Sequence, residues 1–314
     1  MLNEHKRRVL VRRIAPSHAF PSTRVAKILL GGIVWLLATV TGLSLHVEAQ
    51  ERVPGEGFKL YGTEDQGPKP SWRVGGSAFF TTGKYGTDSR TDTLYVPLSM
   101  RRMFENGYVN LVIPYVTVTS NCGVTVVSGE PLRTGGLCSN TPSGTRAGRV
   151  TASGLGDVLL IGRYFLYTER EGGLMPSITV SGRIKAPTAD RNQGLGTGEW
   201  DEGAGLGLMK AISDKLVGLA DVGYSIIGKP DGVNLRNQWS YDVGFAYYFV
   251  PSVFASVYYE EARALISGLK NPRDIFAGLT WKITQDFRLN AGVEKGLTSG
   301  APEFGGTVGA SLQF

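Results

Sequence analysis

The sequence predicts an all-β protein, a transmembrane antiparallel up-and-down β-barrel of about 12 strands. Three observations carry this. A basic, apolar leader precedes a nearly neutral chain, apolar side chains alternate in run after run, and the last run stops on an aromatic residue.

The leader comes first. The 314-residue chain has a net charge of +6, yet residues 1–49 hold seven basic side chains against two acidic ones. The remaining 26 basic and 25 acidic residues nearly cancel. A nucleic-acid partner needs a basic face on the folded part, so none is expected. A basic stretch ends at Lys27, Ile28–Leu45 is apolar, and Val47-Glu48-Ala49 precedes Gln50. That order is a secretory signal peptide over 1–49, cleaved after Ala49. The apolar run is also long enough to span a bilayer, which leaves an uncleaved anchor as the alternative. Residues 50–71 are polar and contain Gly and Pro, and read as a periplasmic N-terminal arm before a barrel over 72–314.

From Trp72 onward no helical period appears. Runs of ten or so residues place apolar groups at every second position, and alternation sends them to one face of a strand. In 239–249, Tyr241, Val243, Phe245, Tyr247 and Phe249 oppose Ser240, Asp242, Gly244, Ala246 and Tyr248. The same pattern marks runs near 72–82, 91–103, 107–119, 155–168, 174–186 and 200–212. It continues near 215–228, 238–250, 252–262, 273–283, 286–296 and 303–314. Connections alternate between short turns, such as Glu105-Asn106-Gly107 and Pro251-Ser252, and longer loops at 83–90, 120–154, 187–199, 229–237, 263–272 and 297–302. Short turns on one side and long loops on the other is the outer-membrane barrel pattern. Closure follows because an open sheet edge in hydrocarbon would leave a row of backbone groups unpaired. The final run, with Val308, Ala310, Leu312 and Phe314 on one face, ends as a strand that assembly machinery of the outer membrane would read through Phe314.

The composition constrains the chemistry. His5, His18 and His46 all lie in the leader, so the exported part offers no histidine base or ligand. A Ser/His catalytic pair is thereby excluded, and no catalytic, cofactor-binding or metal-binding residue is expected. Gly194–Gly198 and Gly203–Gly207 resemble phosphate cradles only superficially, because neither lies between a strand and a helix. The first reads as a flexible loop and the second as a row of small inward side chains. Cys122 and Cys138 share one turn-rich segment, and in an oxidising compartment they are expected to form a disulfide. Alternation assigns Arg163, Arg183, Lys185, Asp201, Asp221, Asp242, Glu260, Lys282, Arg288 and Glu294 to the lumen. Such groups read as an ion network in a wet interior, not as a carboxylate pair for catalysis. Trp72, Tyr108, Trp200, Trp239 and Phe249 fall near strand ends, where an interfacial aromatic girdle is expected. Tyr248, Tyr258 and Phe276 are expected to point inward as packing, with ligand stacking as the alternative.

Two blocks are distinctive: Gly154-Leu155-Gly156-Asp157, and Lys185-Ala186-Pro187-Thr188 with Asp190 and Gly196-Thr197-Gly198-Glu199-Trp200-Asp201. Through them the chain resembles outer-membrane barrels of the meta-pathway phenol-degradation family, also described as transporters. The resemblance implies a barrel linked to aromatic catabolism and uptake of hydrophobic aromatic compounds.

Together these readings point to a channel for passive uptake of small solutes, hydrophobic or aromatic ones included. The alternative is a closed structural or adhesive barrel binding partners through its extracellular loops. Partners are outer-membrane lipid, a small-molecule solute and the assembly machinery, and the location is a Gram-negative outer membrane.

Overall fold

The computed structural model describes residues 71–87, 89–121, 124–127, 130–133, 149–170 and 172–314. The leader, the arm before Ser71 and both cysteines lie outside these residues, and with them the signal-peptide and disulfide expectations.

The strands are β1 (Trp72–Gly83), β2 (Thr91–Phe104), β3 (Gly107–Ser120), β4 (Val124–Val127), β5 (Glu130–Arg133), β6 (Val150–Leu155), β7 (Val158–Tyr167) and β8 (Ser177–Ala186). They continue as β9 (Asp201–Ala211), β10 (Leu216–Ile226), β11 (Gln238–Val250), β12 (Val253–Ala262), β13 (Arg273–Lys282), β14 (Phe287–Gly296) and β15 (Phe304–Gln313). Every pairing is antiparallel; apart from β3, which pairs with β6 and β7 past the β4–β5 hairpin, strands pair with their neighbours in the chain, and β1 also pairs with β15, which closes the sheet. β6 and β7 share one position beside β3, so twelve staves form the barrel, as the alternation predicts. The closing seam is made by the described ends of the barrel itself. Trp72 N–H donates to the Phe314 carbonyl at 2.8 Å, and Phe314 N–H to the Trp72 carbonyl at 2.8 Å.

The fourth stave departs from the expected single run over 155–168. It starts earlier, at Val150, and is broken at Gly156-Asp157. The cause sits on the neighbouring strand. Pro114 on β3 has no N–H to give to a ladder, and it lies where pairing passes from Tyr115–Leu155 to Val112–Leu159. Its register partner on β2 is a second proline, Pro97. The β1–β2 ladder is likewise interrupted between the Gly76–Leu98 and Phe79–Tyr95 pairs. Two prolines side by side thus thin the wall on both flanks.

Alternation sorts the two faces as lipid requires. On β11, Val243, Phe245 and Tyr247 are exposed on the outside, while Ser240, Asp242, Ala246 and Tyr248 are buried inside. Aromatic side chains gather outside near both ends. Trp239 stacks on Tyr241 (6.0 Å between rings) near the long loops, and Trp72, Phe249 and Trp281 stand exposed near the short turns. Tyr108, expected in that girdle, turns inward instead: it has the parity of buried Asn110 and Val112, and the Arg101 guanidinium lies 4.1 Å above its ring.

Candidate functional site

The interior of the closed barrel is the candidate site, and it is not a uniform apolar core. On β9 the inward positions Gly203, Gly205 and Gly207 carry no side chain. The space is used by arginines that cross over this strand. Arg163 on β7 reaches Asp221 on β10 at 3.7 Å, and Arg183 on β8 donates to Ser225 Oγ at 3.1 Å. At Gly207 an added Cβ would fall 2.5 Å from Thr179 Oγ1 and 2.6 Å from Asp221 Oδ1. The glycine row makes room, and polar side chains fill it.

Four carboxylates line up as register partners on four successive strands: Asp221, Asp242, Glu260 and Asp274. Asp274 was not among the residues singled out from sequence, although it shares the parity of inward Phe276 and Gly278. Below this row, toward the short turns, Val217, Leu219, Ala246, Tyr248, Phe254, Tyr258 and Phe276 form an apolar cluster. Tyr248 and Phe254 meet there at an interplanar tilt of 34°, 4.8 Å between centroids, so these inward aromatics pack on one another.

Across the barrel, β15, β1, β2 and β3 present a different wall. Their inward residues include no carboxylate, and Arg73 and Arg101 face each other as register partners. Both arginines are missing from the sequence-derived set. Arg73 was legible by parity between exposed Trp72 and Val74. Arg101 was hidden by Arg102 beside it, which points outward, 5.1 Å over the Trp72 ring. Lys282 and Arg288 are register partners near the short turns, and Glu294 stands higher on β14 opposite Gly305.

The long-loop mouth is built by the two distinctive sequence blocks, which the fold brings into one network. Lys185 Nζ lies 3.0 Å from Asp157 and 3.0 Å from Asp201, and donates to Thr197 Oγ1 at 3.2 Å. Asp157 comes from the break in the fourth stave, and its Oδ1 accepts from Ala189 N–H at 3.0 Å. Asp201 accepts from Gly228 N–H at 2.9 Å, tying in the β10–β11 loop. Thr188 bridges the same break, donating to the Gly156 carbonyl at 3.0 Å and accepting from Val158 N–H at 2.9 Å. The Gly194–Gly198 segment, expected as a flexible loop, is therefore packed. Leu195 and Thr197 are buried, and Gly194 and Gly198 take left-handed backbone angles (φ 72° and 75°) that favour glycine. Within this loop Asp190 caps a short 3-10 turn, Arg191–Gln193. Its carboxyl is held below its ordinary value by hydrogen bonds from the Gln193 side chain and the Asn192 backbone.

The β4–β5 hairpin closes on this assembly. Val126 N–H donates to the Gly194 carbonyl at 2.8 Å. The Val126 side chain packs among Phe79, Tyr95, Val116 and Val118, which point inward from β1, β2 and β3. Part of the 120–154 segment thus folds into the mouth. Among the described residues no group of three His, Cys, Asp or Glu side chains is arranged to hold a metal ion.

The family described as "Putative MetA-pathway of phenol degradation" matches residues 106–314. No curated protein sequence matches the chain. Among solved structures, an outer membrane channel from Pseudomonas putida F1 superposes with a TM-score of 0.62 at 13% identity, over 83% of this chain and 99% of that one. The KdgM porin gives a TM-score of 0.46 at 10% identity, over 77% and 99% of the two chains. The Pseudomonas putida toluene transporter TodX gives 0.36 at 11% identity, over 78% and 89%.

Proposed function

We propose that this chain, which belongs to the MetA-pathway phenol-degradation family, is an outer-membrane channel for passive entry of small solutes, aromatic ones included. The observation that carries the reading is the interior itself. Twelve staves enclose buried Asp, Glu, Arg and Lys side chains on opposed walls, which makes the interior polar, as a path for small solutes through a membrane barrel requires. Arg163, Arg183, Lys185, Asp201, Asp221, Asp242, Glu260, Lys282, Arg288 and Glu294 line the path in this reading. The likeness to a solved outer membrane channel supports it, and nothing in the reading calls for catalysis.

Export by a cleaved 1–49 signal, an arm over 50–71 at the short-turn mouth, and recognition of Phe314 during assembly complete the proposal. A Cys122–Cys138 bridge would staple the segment whose β4–β5 hairpin folds into the mouth. The deciding experiment is single-channel recording in planar bilayers on protein purified from outer membranes, with and without reductant. Discrete conductance steps that change on reduction are expected. A silent bilayer with a folded, heat-modifiable barrel would overturn the channel and leave a closed barrel that works through its loops.

A further inference from the structure

The lipid-facing side of β12, β13 and β14 changes character near the long loops. Along most of its height Val257, Ile275, Leu279 and Val293 stand exposed, as contact with hydrocarbon requires. One outward step beyond Ile275 and Val293, the side chains are Arg273 and Lys295. Ile275 is the register partner of Lys295, so the two cations are diagonal neighbours, about 7–8 Å apart and within reach of long side chains. The outer wall turns polar toward this end on other strands too. Beyond exposed Tyr115 on β3 come Thr117 and Thr119, joined at 2.9 Å each to the Ser153 and Thr151 hydroxyls of β6. This polar belt marks the level at which acyl chains give way to headgroups.

Both cations are arranged to hold a further group. Buried Glu261 on β12 accepts from the Tyr241 and Tyr259 hydroxyls at 2.9 and 3.1 Å and from Asn271 Nδ2 at 3.0 Å. It also accepts from Arg273 Nε at 3.0 Å, yet the Arg273 side chain stays 47% exposed. The carboxylate, shared among four donors, thus fixes the guanidinium by its Nε edge. Lys295 Nζ donates to the Glu303 backbone carbonyl at 2.9 Å, an acceptor without formal charge. The Glu303 carboxylate is engaged by Arg90 at 2.5 Å. The patch therefore sets three cations against two carboxylates, and both carboxylates already have donors. A guanidinium fork beside an ammonium matches a phosphate, and the apolar wall next to it matches acyl chains.

We propose that the outer face of β12–β14 binds a phosphorylated glycolipid of the outer leaflet, lipid A in chemistry, with a phosphate on Arg273 and Lys295 and an acyl chain along Ile275 and Val293. The site rests on the outer-membrane location and not on conduction, so a barrel that is silent in bilayers leaves it standing. The test is native mass spectrometry of the protein purified from outer membranes and delipidated, with each variant checked as a heat-modifiable barrel. The lipids offered are diphosphorylated lipid A, the same lipid stripped of its phosphates, and phosphatidylglycerol. Diphosphorylated lipid A is expected to bind tighter than either of the others by roughly tenfold or more. Arg273→Gln and Lys295→Gln each weaken its binding, and Lys295→Arg retains it. Lys215→Gln, at an exposed cation in a short turn on the opposite rim, leaves binding unchanged. Equal binding of lipid A with and without its phosphates would overturn the site, as would undiminished binding by the Arg273→Gln, Lys295→Gln double variant. Phosphatidylglycerol held as tightly as lipid A would overturn the glycolipid assignment.

Discussion

Replacing Lys185 by Met tests the mouth network most directly. The ammonium is 2% exposed and sits between Asp157 and Asp201, whose side chains are 9% and 0% exposed. Removing it leaves two buried carboxylates facing each other without their shared cation. Their backbone donors, Ala189 N–H and Gly228 N–H, remain, so the penalty is partly contained. Breaking a buried pair by deleting one partner costs about 3–5 kcal/mol, and Lys185→Met is expected to fall in that range. The assay is urea-dependent unfolding from phospholipid vesicles, followed by tryptophan fluorescence. The triple variant that adds Asp157→Asn and Asp201→Asn removes both stranded charges and is expected to recover a substantial part of the loss, a coupling that a cycle of variants reads out. By contrast, Arg90–Glu303 has side chains 46% and 45% exposed, and breaking it is expected to cost no more than about 1 kcal/mol. If Lys185→Met is as mild as that exposed pair, the network is not the clasp described above.

Other expectations follow from the two faces. Val243→Arg, on the lipid side of β11, is expected to cost about 2–4 kcal/mol near the midplane, whereas Asp242→Asn next to it leaves folding in vesicles nearly unchanged and alters ion selectivity; equal folding losses would contradict the assigned faces. Gly207→Ala places a Cβ against Thr179 and Asp221 and is expected to destabilise by about 1–3 kcal/mol in the same assay. Deleting Phe314 removes the backbone pair with Trp72 that completes the seam, and the yield of heat-modifiable barrel in outer membranes is expected to fall sharply. Asp190, whose folded-state carboxyl is held below the ordinary 3.8, contributes its cap fully above that value and loses it as pH falls through the lowered one. An Asn192 amide titration with a midpoint above 3.8 would contradict this.

The sequence alone determined the barrel, because hydrocarbon enforces a rule that is local. Each side chain of a membrane strand must be apolar or free to be polar according to its parity, so residues such as Val243 and Asp242 declare their faces two letters at a time. Strand number and the alternation of turns and loops could both be read this way. Parity fails where two like residues adjoin, as at Arg101-Arg102, and at strand ends, where Tyr108 follows a turn. It also does not reach across the chain. That Lys185 meets Asp157 through a break set by Pro114, that three glycines on β9 let Arg163 and Arg183 pass, and that Arg73 and Arg101 share one cavity depend on register and curvature. Those are decided only when the sheet closes on itself, since closure fixes which strands become neighbours and which walls face each other.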